Sequence, residues 1–187
     1  SWFAFGTETW LAFINGVPFT GRVLLGEGAG EFARLQSLFA FVRAHGGSEP
    51  LAWTVHACGT LALAAALVIL WRSRAAYELK AAALAAGALL ATPYVYMYDL
   101  VVLAVAAALL LRHSLKQGFA AAESAGLGAA GALIFIYPYV KSQVGLAAVL
   151  VVLVLVVCRA LPEFHCARPR ASGNPITLRS GFPLARE

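Results

Sequence analysis

Residues 91–111 read ATPYVYMYDLVVLAVAAALLL. A carboxylate, Asp99, stands between a cluster of tyrosines and the twelve apolar residues Leu100–Leu111. Pro93 has a fixed φ and no amide hydrogen, and it disfavours helix for Thr92 before it. One helix is therefore expected to end near Thr92 and another to begin near Tyr98, with PYVYMYD as the tip between them. Taken as one helix at ~1.5 Å per residue, the apolar stretch from Ala75 to Leu111 would cover roughly 55 Å. That exceeds one upright crossing of a bilayer core of ~30 Å. A hairpin of two helices, Ala76–Thr92 and Tyr98–Leu111, resolves the length.

The rest of the chain supports a membrane setting. Its 187 residues are 61% hydrophobic and 12% charged, with a mean hydropathy of +0.78. Soluble domains carry about 25% charged residues, so this chain has too few charges to cover a water-facing surface. Val144–Cys158, VGLAAVLVVLVLVVC, is apolar on every side of a helix, as lipid contact requires. Leu51–Trp71 is a further span of bilayer length. Phe119–Tyr137 and Gln143–Ala160 complete the set, with YPYVKSQ as the turn between them. The expected fold class is all-α: a polytopic membrane bundle of about five transmembrane helices plus one interfacial amphipathic helix.

That last helix is expected over 31–45. Phe32, Leu35, Phe39 and Val42 recur at helical spacing, which gives an amphipathic stripe suited to the interface. Gly46-Gly47 then stops it. Residues 1–50 as a whole read as an outward-facing loop layer, with Trp2 and Trp10 of the kind that settle at membrane interfaces. Residues 51–160 read as the helical domain. The segment 161–187 is polar, rich in Pro and Arg and without periodicity, and reads as a disordered cytoplasmic tail. The chain starts at Ser1, and its opening SWFAF does not read as a signal peptide, so the C-terminal piece of a longer protein is expected.

Charge sets the expected orientation. Arg72, Arg74, Lys80, Arg112, Lys116, Arg159, Arg168, Arg170, Arg179 and Arg186 are assigned inside, ten of the chain's 14 Lys and Arg residues. Arg22, Arg34, Arg43 and Lys141 are assigned outside, and Lys and Arg favour the cytoplasmic side. The formal charge of +5 then reports topology. No basic stripe with interleaved aromatics points to nucleic acid.

Three groups could carry chemistry. Asp99 reads either as a helix cap, worth about 1 kcal/mol, or as an acid projecting into a polar cleft beside Tyr94, Tyr96 and Tyr98. Arg34, Gln36 and Ser37 combine a guanidinium with uncharged hydrogen-bonding groups, which suits a lipid phosphate or a sugar hydroxyl. The same residues also fit the solvated side of an amphipathic helix. His56 lies shallowly within the first long span, where an interhelical hydrogen bond would account for it as well as a function would. No nucleophile–base set, phosphate loop or carboxylate pair stands out. Cys58, Cys158 and Cys166 form no CxxC, and His165-Cys166 supplies only two ligands, so neither a metal nor a cofactor is expected.

Three blocks carry a resemblance: FGTETWLAF (5–13), EFARLQSLFAFVRAHGG (31–47) and RSRAAYELKAAALAAGALLATPYVYMYDLVVLA (72–104). In this order and spacing they resemble the C-terminal half of bacterial glycosyltransferase family 87, over about residues 2–112. The resemblance implies a GT-C-class enzyme of the bacterial cytoplasmic membrane. Such an enzyme moves a hexose, mannose by similarity, from a polyprenyl-phosphate-sugar donor to a lipid or glycan acceptor on the outer side. It also implies that the catalytic base lies in an outer loop upstream of Ser1. No catalytic residue is then expected in this chain, and the chain alone is expected to be inactive. Arg34 stands where the family usually carries lysine. A small transporter or channel subunit, or a non-catalytic membrane scaffold, is the alternative reading of the same composition.

Overall fold

A computed structural model describes residues 2–21, 32–140 and 142–160. Among these residues there are seven α-helices and no strands. They are α1 (Trp2–Gly21), α2 (Leu38–Ala44), α3 (Glu49–Arg72), α4 (Tyr77–Ala91), α5 (Val101–Gln117), α6 (Ala121–Ile136) and α7 (Val144–Ala160). Short 3-10 turns at Phe32–Arg34 and Met97–Leu100 precede α2 and α5. Helices α3 to α7 fall where the five apolar stretches predict them. The hairpin break is also in place: α4 ends at Ala91, immediately before Thr92-Pro93.

Helices α4 and α7 form the centre. Each packs on the other and on α5, while α3 flanks α4 and α6 flanks α7. Small side chains allow this close approach. Ala82, Ala83, Ala86 and Gly87 of α4 are buried, as are Gly145, Ala148, Val149, Val152 and Val156 of α7. A Cβ at Gly87 would stand 3.2 Å from the Leu67 side chain, so glycine lets α3 lie against α4. One at Gly126 would meet Leu155 at 2.7 Å, the equivalent relation of α6 to α7.

Among the described residues, length and composition qualify two stretches for crossing a membrane, Glu49–Arg72 and Met97–Gln117. Helices α4, α6 and α7 have 15, 16 and 17 residues. At ~1.5 Å per residue they extend roughly 22–26 Å, short of a ~30 Å core. Two of the five expected spans, those of α3 and α5, therefore meet the length criterion. Large apolar side chains lie exposed along the helices, including Leu61 and Ile69 of α3 and Val154 of α7, as lipid-facing positions require.

The first fifty residues differ from the expected loop layer. Trp2–Gly21 is helical with a kink at Gly6, whose φ of 72° favours glycine. Trp2 stacks on Trp10 with ring centroids 6.0 Å apart. The expected helix over 31–45 is also divided. It is a 3-10 turn, a short non-helical segment through Gln36, and then α2 with Ser37 as its N-cap. Gly46, at φ 82°, follows α2 as expected. The segment expected as a tail, 161–187, lies outside the described residues.

Candidate functional site

The short non-helical segment before α2 runs alongside the tip between α4 and α5. Gln36 N–H donates to Val95 O at 2.6 Å, and the Ser37 hydroxyl donates to Pro93 O. Ser37 Oγ also accepts Ala40 N–H at 3.1 Å, the N-cap bond of α2. Gln36 then reaches the start of α7. Its Oε1 accepts Gly145 N–H at 2.8 Å, and its Nε2 donates to Arg34 O at 3.2 Å. Gln143 closes the ring by donating from Nε2 to Phe32 O at 3.0 Å. The result is a polar layer of three loops sealed over one end of the bundle.

The apolar stripe predicted across this segment has a real target. Leu35 and Phe39 are buried with Ala40 and Ala52, and Phe32, Val42 and Tyr96 pack around them. The Phe39 and Trp53 ring centroids are 4.8 Å apart, which joins α2 to α3.

The layer brings most of the predicted residues together and divides their roles. Gln36 and Ser37, expected on a solvated or ligand-facing side, are buried and occupied by backbone groups. The reason is positional: Gln36 and Ser37 precede the first turn of α2, so helical spacing does not decide which way they face. Arg34 is exposed at the edge of the layer. Tyr94 and Tyr98 are 51% and 73% exposed, large aromatic faces on a loop that could stack on a sugar. Tyr96 and Tyr98 stack at 5.5 Å with planes 9° apart.

Asp99 caps, but from inside the turn. Its Oδ2 accepts Tyr96 N–H at 2.9 Å, while its own N–H donates to Tyr96 O at 3.1 Å. The carboxylate thus sets the geometry of the turn that carries Tyr98.

His56 lies one layer deeper. It is 5% exposed, and its Nε2 is 3.2 Å from Ala91 O at the C-terminal end of α4. A carbonyl accepts only, so Nε2 carries the proton and donates. This is the interhelical bond that the sequence allowed for. His56 Nδ1 and Thr60 Oγ1 are buried without a hydrogen-bond partner among the described residues.

An apolar cleft of about 350 Å³ lies between α5, α6 and α7. It begins at Met97, next to Tyr98, and is bordered by Ala104, Ala107, Ala130 and Gly131. Their small side chains leave the space unfilled. No group of three or more His, Cys, Asp or Glu residues that could hold a metal occurs among the described residues.

Sequence reasoning did not find Gln143, Gly145 or the buried pair Glu123–Arg159. In that pair, Arg159 Nε lies 3.4 Å from Glu123 Oε1, with side chains 9% and 4% exposed. Glu123 Oε2 also accepts Ala120 N–H at 2.9 Å, and Arg159 donates to Gly118 O at 2.8 Å. A signal was present: an acid in the first turn of one helix and a base in the last turn of the next meet at one end of a hairpin.

Fold and site together define a helical protein with membrane-type helices, capped at one end by a loop layer that exposes an arginine and two tyrosines. Residues 1–93 of the 187 match the model of glycosyltransferase family 87, and through this half the chain belongs to that family. No curated protein and no solved structure matches the chain. The family assigns it to the glycosyltransferases, which use a sugar donor and an acceptor. The match covers Arg34, Gln36, Ser37 and His56 and ends at Pro93. It is shorter than the sequence resemblance over 2–112, and Tyr94, Tyr98 and Asp99 lie beyond it.

Proposed function

We propose that this chain supplies the substrate-binding layer of a GT-C-class glycosyltransferase in the bacterial cytoplasmic membrane. It passes a hexose, mannose by family resemblance, from a polyprenyl-phosphate carrier to a lipid or glycan acceptor on the outer side. One observation carries the reading: the segment 34–37 is locked onto the 93–96 loop, so Arg34, Tyr94 and Tyr98 belong to a single layer. Arg34 offers a forked guanidinium to the donor phosphate. Tyr94 and Tyr98 offer flat faces to the sugar. The apolar cleft starting at Met97 receives the first part of the carrier chain.

In this reading the chain binds and orients, and Asp99 acts by holding the tyrosine turn. The base that deprotonates the acceptor hydroxyl is supplied upstream of Ser1, and α3 to α7 all cross the membrane, the shorter ones by local bilayer thinning. The polar layer then faces outward and the α3–α4 turn inward.

The test is transfer from polyprenyl-phosphate-mannose by membranes carrying the protein together with its upstream part. Tyr94→Ala/Tyr98→Ala should lower transfer at least tenfold, about 1.4 kcal/mol, with protein levels unchanged. Wild-type transfer by that variant would remove the layer from the site.

A further inference from the structure

The opposite end of the bundle carries more positive charge than its acids neutralise. Among the described residues, Arg72, Arg74, Lys80, Arg112, Lys116 and Arg159 stand at the ends of α3, α4, α5 and α7, and the acids there are Glu78 and Glu123. Both acids are committed. Glu78 pairs with Lys116 at 2.9 Å, and Glu123 pairs with Arg159. Lys80 is also used internally, donating to Ser73 O at 2.8 Å and Trp71 O at 3.1 Å, across the C-terminal end of α3. That leaves Arg72, Arg74 and Arg112. All three are exposed, and no ion pair or hydrogen bond engages their side chains among the described residues.

Their depth is marked by aromatics. Trp71 and Tyr77 are exposed on either side of the turn that holds Arg72 and Arg74, with rings edge to face at 6.2 Å. Trp and Tyr collect where hydrocarbon gives way to headgroups. Apolar, outward-facing Val68 and Ile69 precede them on α3. The guanidiniums thus emerge where lipid phosphates lie.

We propose that Arg72, Arg74 and Arg112 form a binding site for the headgroups of anionic phospholipids. Planar guanidinium forks match phosphodiester oxygens, and a basic residue near an anionic membrane surface contributes about fivefold in affinity. The proposal goes beyond the transfer reaction and is independent of it. It depends only on these helices lying in lipid, and not on which leaflet they face.

Trp71 reports directly on this site. In the full chain with Trp2, Trp10 and Trp53 replaced by Phe, Trp71 is the single remaining tryptophan. Its quenching by brominated phosphatidylglycerol is compared with that by brominated phosphatidylcholine in reconstituted bilayers. The expected result is a preference for phosphatidylglycerol of more than about tenfold, reduced to below about threefold in R72Q/R74Q/R112Q. The preference should survive in E78Q/K116Q, which removes an ion pair and leaves the net charge unchanged. It should also survive added inorganic phosphate, because a headgroup site is filled from the bilayer. Equal quenching by the two lipids would overturn the proposal. So would an undiminished preference in the triple arginine variant, an equal loss in E78Q/K116Q, or displacement by inorganic phosphate. Retained Trp71 emission and monodispersity in the triple variant establish that it is folded.

Discussion

The side-chain oxygen of Gln36 accepts the backbone N–H of Gly145 across 109 residues of sequence, at 2.8 Å. This bond fixes the loop before α2 to the first turn of α7, where an orphan amide needs an acceptor. A Cβ at position 145 would stand 2.9 Å from that same oxygen and 2.5 Å from Leu100 Cδ1. The relationship is therefore exclusive: the glutamine fits because the helix presents glycine.

Gln36→Leu should strand the Gly145 amide in a buried place and cost about 1–3 kcal/mol. Gly145→Ala should cost a similar amount by overpacking, about 1–3 kcal/mol. Because both act on one contact, the double variant should lose less than the sum of the two. Thermal unfolding in detergent, read for all three proteins, checks this. Full additivity would show that the contact is not shared.

Asp99 should prove to be a turn-former. Asparagine keeps an acceptor for Tyr96 N–H, so Asp99→Asn is expected to hold near-wild-type stability and transfer within about threefold. Asp99→Ala removes the acceptor and should cost about 1 kcal/mol. A drop of tenfold or more in the asparagine variant, with the fold intact, would instead give the carboxylate charge a part in the reaction.

The Glu123–Arg159 pair is buried, so removing one partner leaves an uncompensated charge. Glu123→Ala or Arg159→Met alone should cost about 3–5 kcal/mol. Glu123→Leu/Arg159→Met, which removes both charges, should recover much of that loss in the same unfolding assay. A double variant as unstable as the singles would place the value in the bonds to Ala120 N–H and Gly118 O.

The cleft between α5 and α6 can be filled without distortion, because a Cβ at Gly131 meets nothing within 4 Å. Gly131→Leu should leave stability within about 0.5 kcal/mol. If the carrier chain lies there, the variant should raise the KM for a polyprenyl-phosphate donor at least fivefold while kcat changes little. An unchanged KM would move the lipid chain elsewhere.

Orientation has its own check. In a cysteine-free background, cysteines at Ser48 and Tyr139 should react with an impermeant thiol reagent added outside, and cysteines at Ala75 and Phe119 should not. The expectation rests on the distribution of Lys and Arg, and reversed labelling would invert the topology.

By itself, the sequence determined the all-helical class, the positions of α3 to α7 and the break at Pro93. These follow from local physics: unbroken apolar runs permit only helix in lipid, and proline interrupts it wherever it falls. It also carried the family resemblance, since FGTETWLAF, EFARLQS and the start of the third block lie inside the matched segment. What it left open depended on partners elsewhere in the fold. Gln36 and Ser37 were legible as polar groups, but only the fold shows them bound to Val95, Pro93 and Gly145. Asp99 was legible as a cap, yet its recipient, Tyr96 N–H, depended on a 3-10 turn that periodicity does not reveal. Glu123 and Arg159 lie 36 positions apart in the sequence, and the α6–α7 hairpin brings them together. Periodicity tells which face of a regular helix is apolar. Only tertiary structure decides which polar groups are satisfied internally, because a hydrogen bond is settled by the spatial position of its partner.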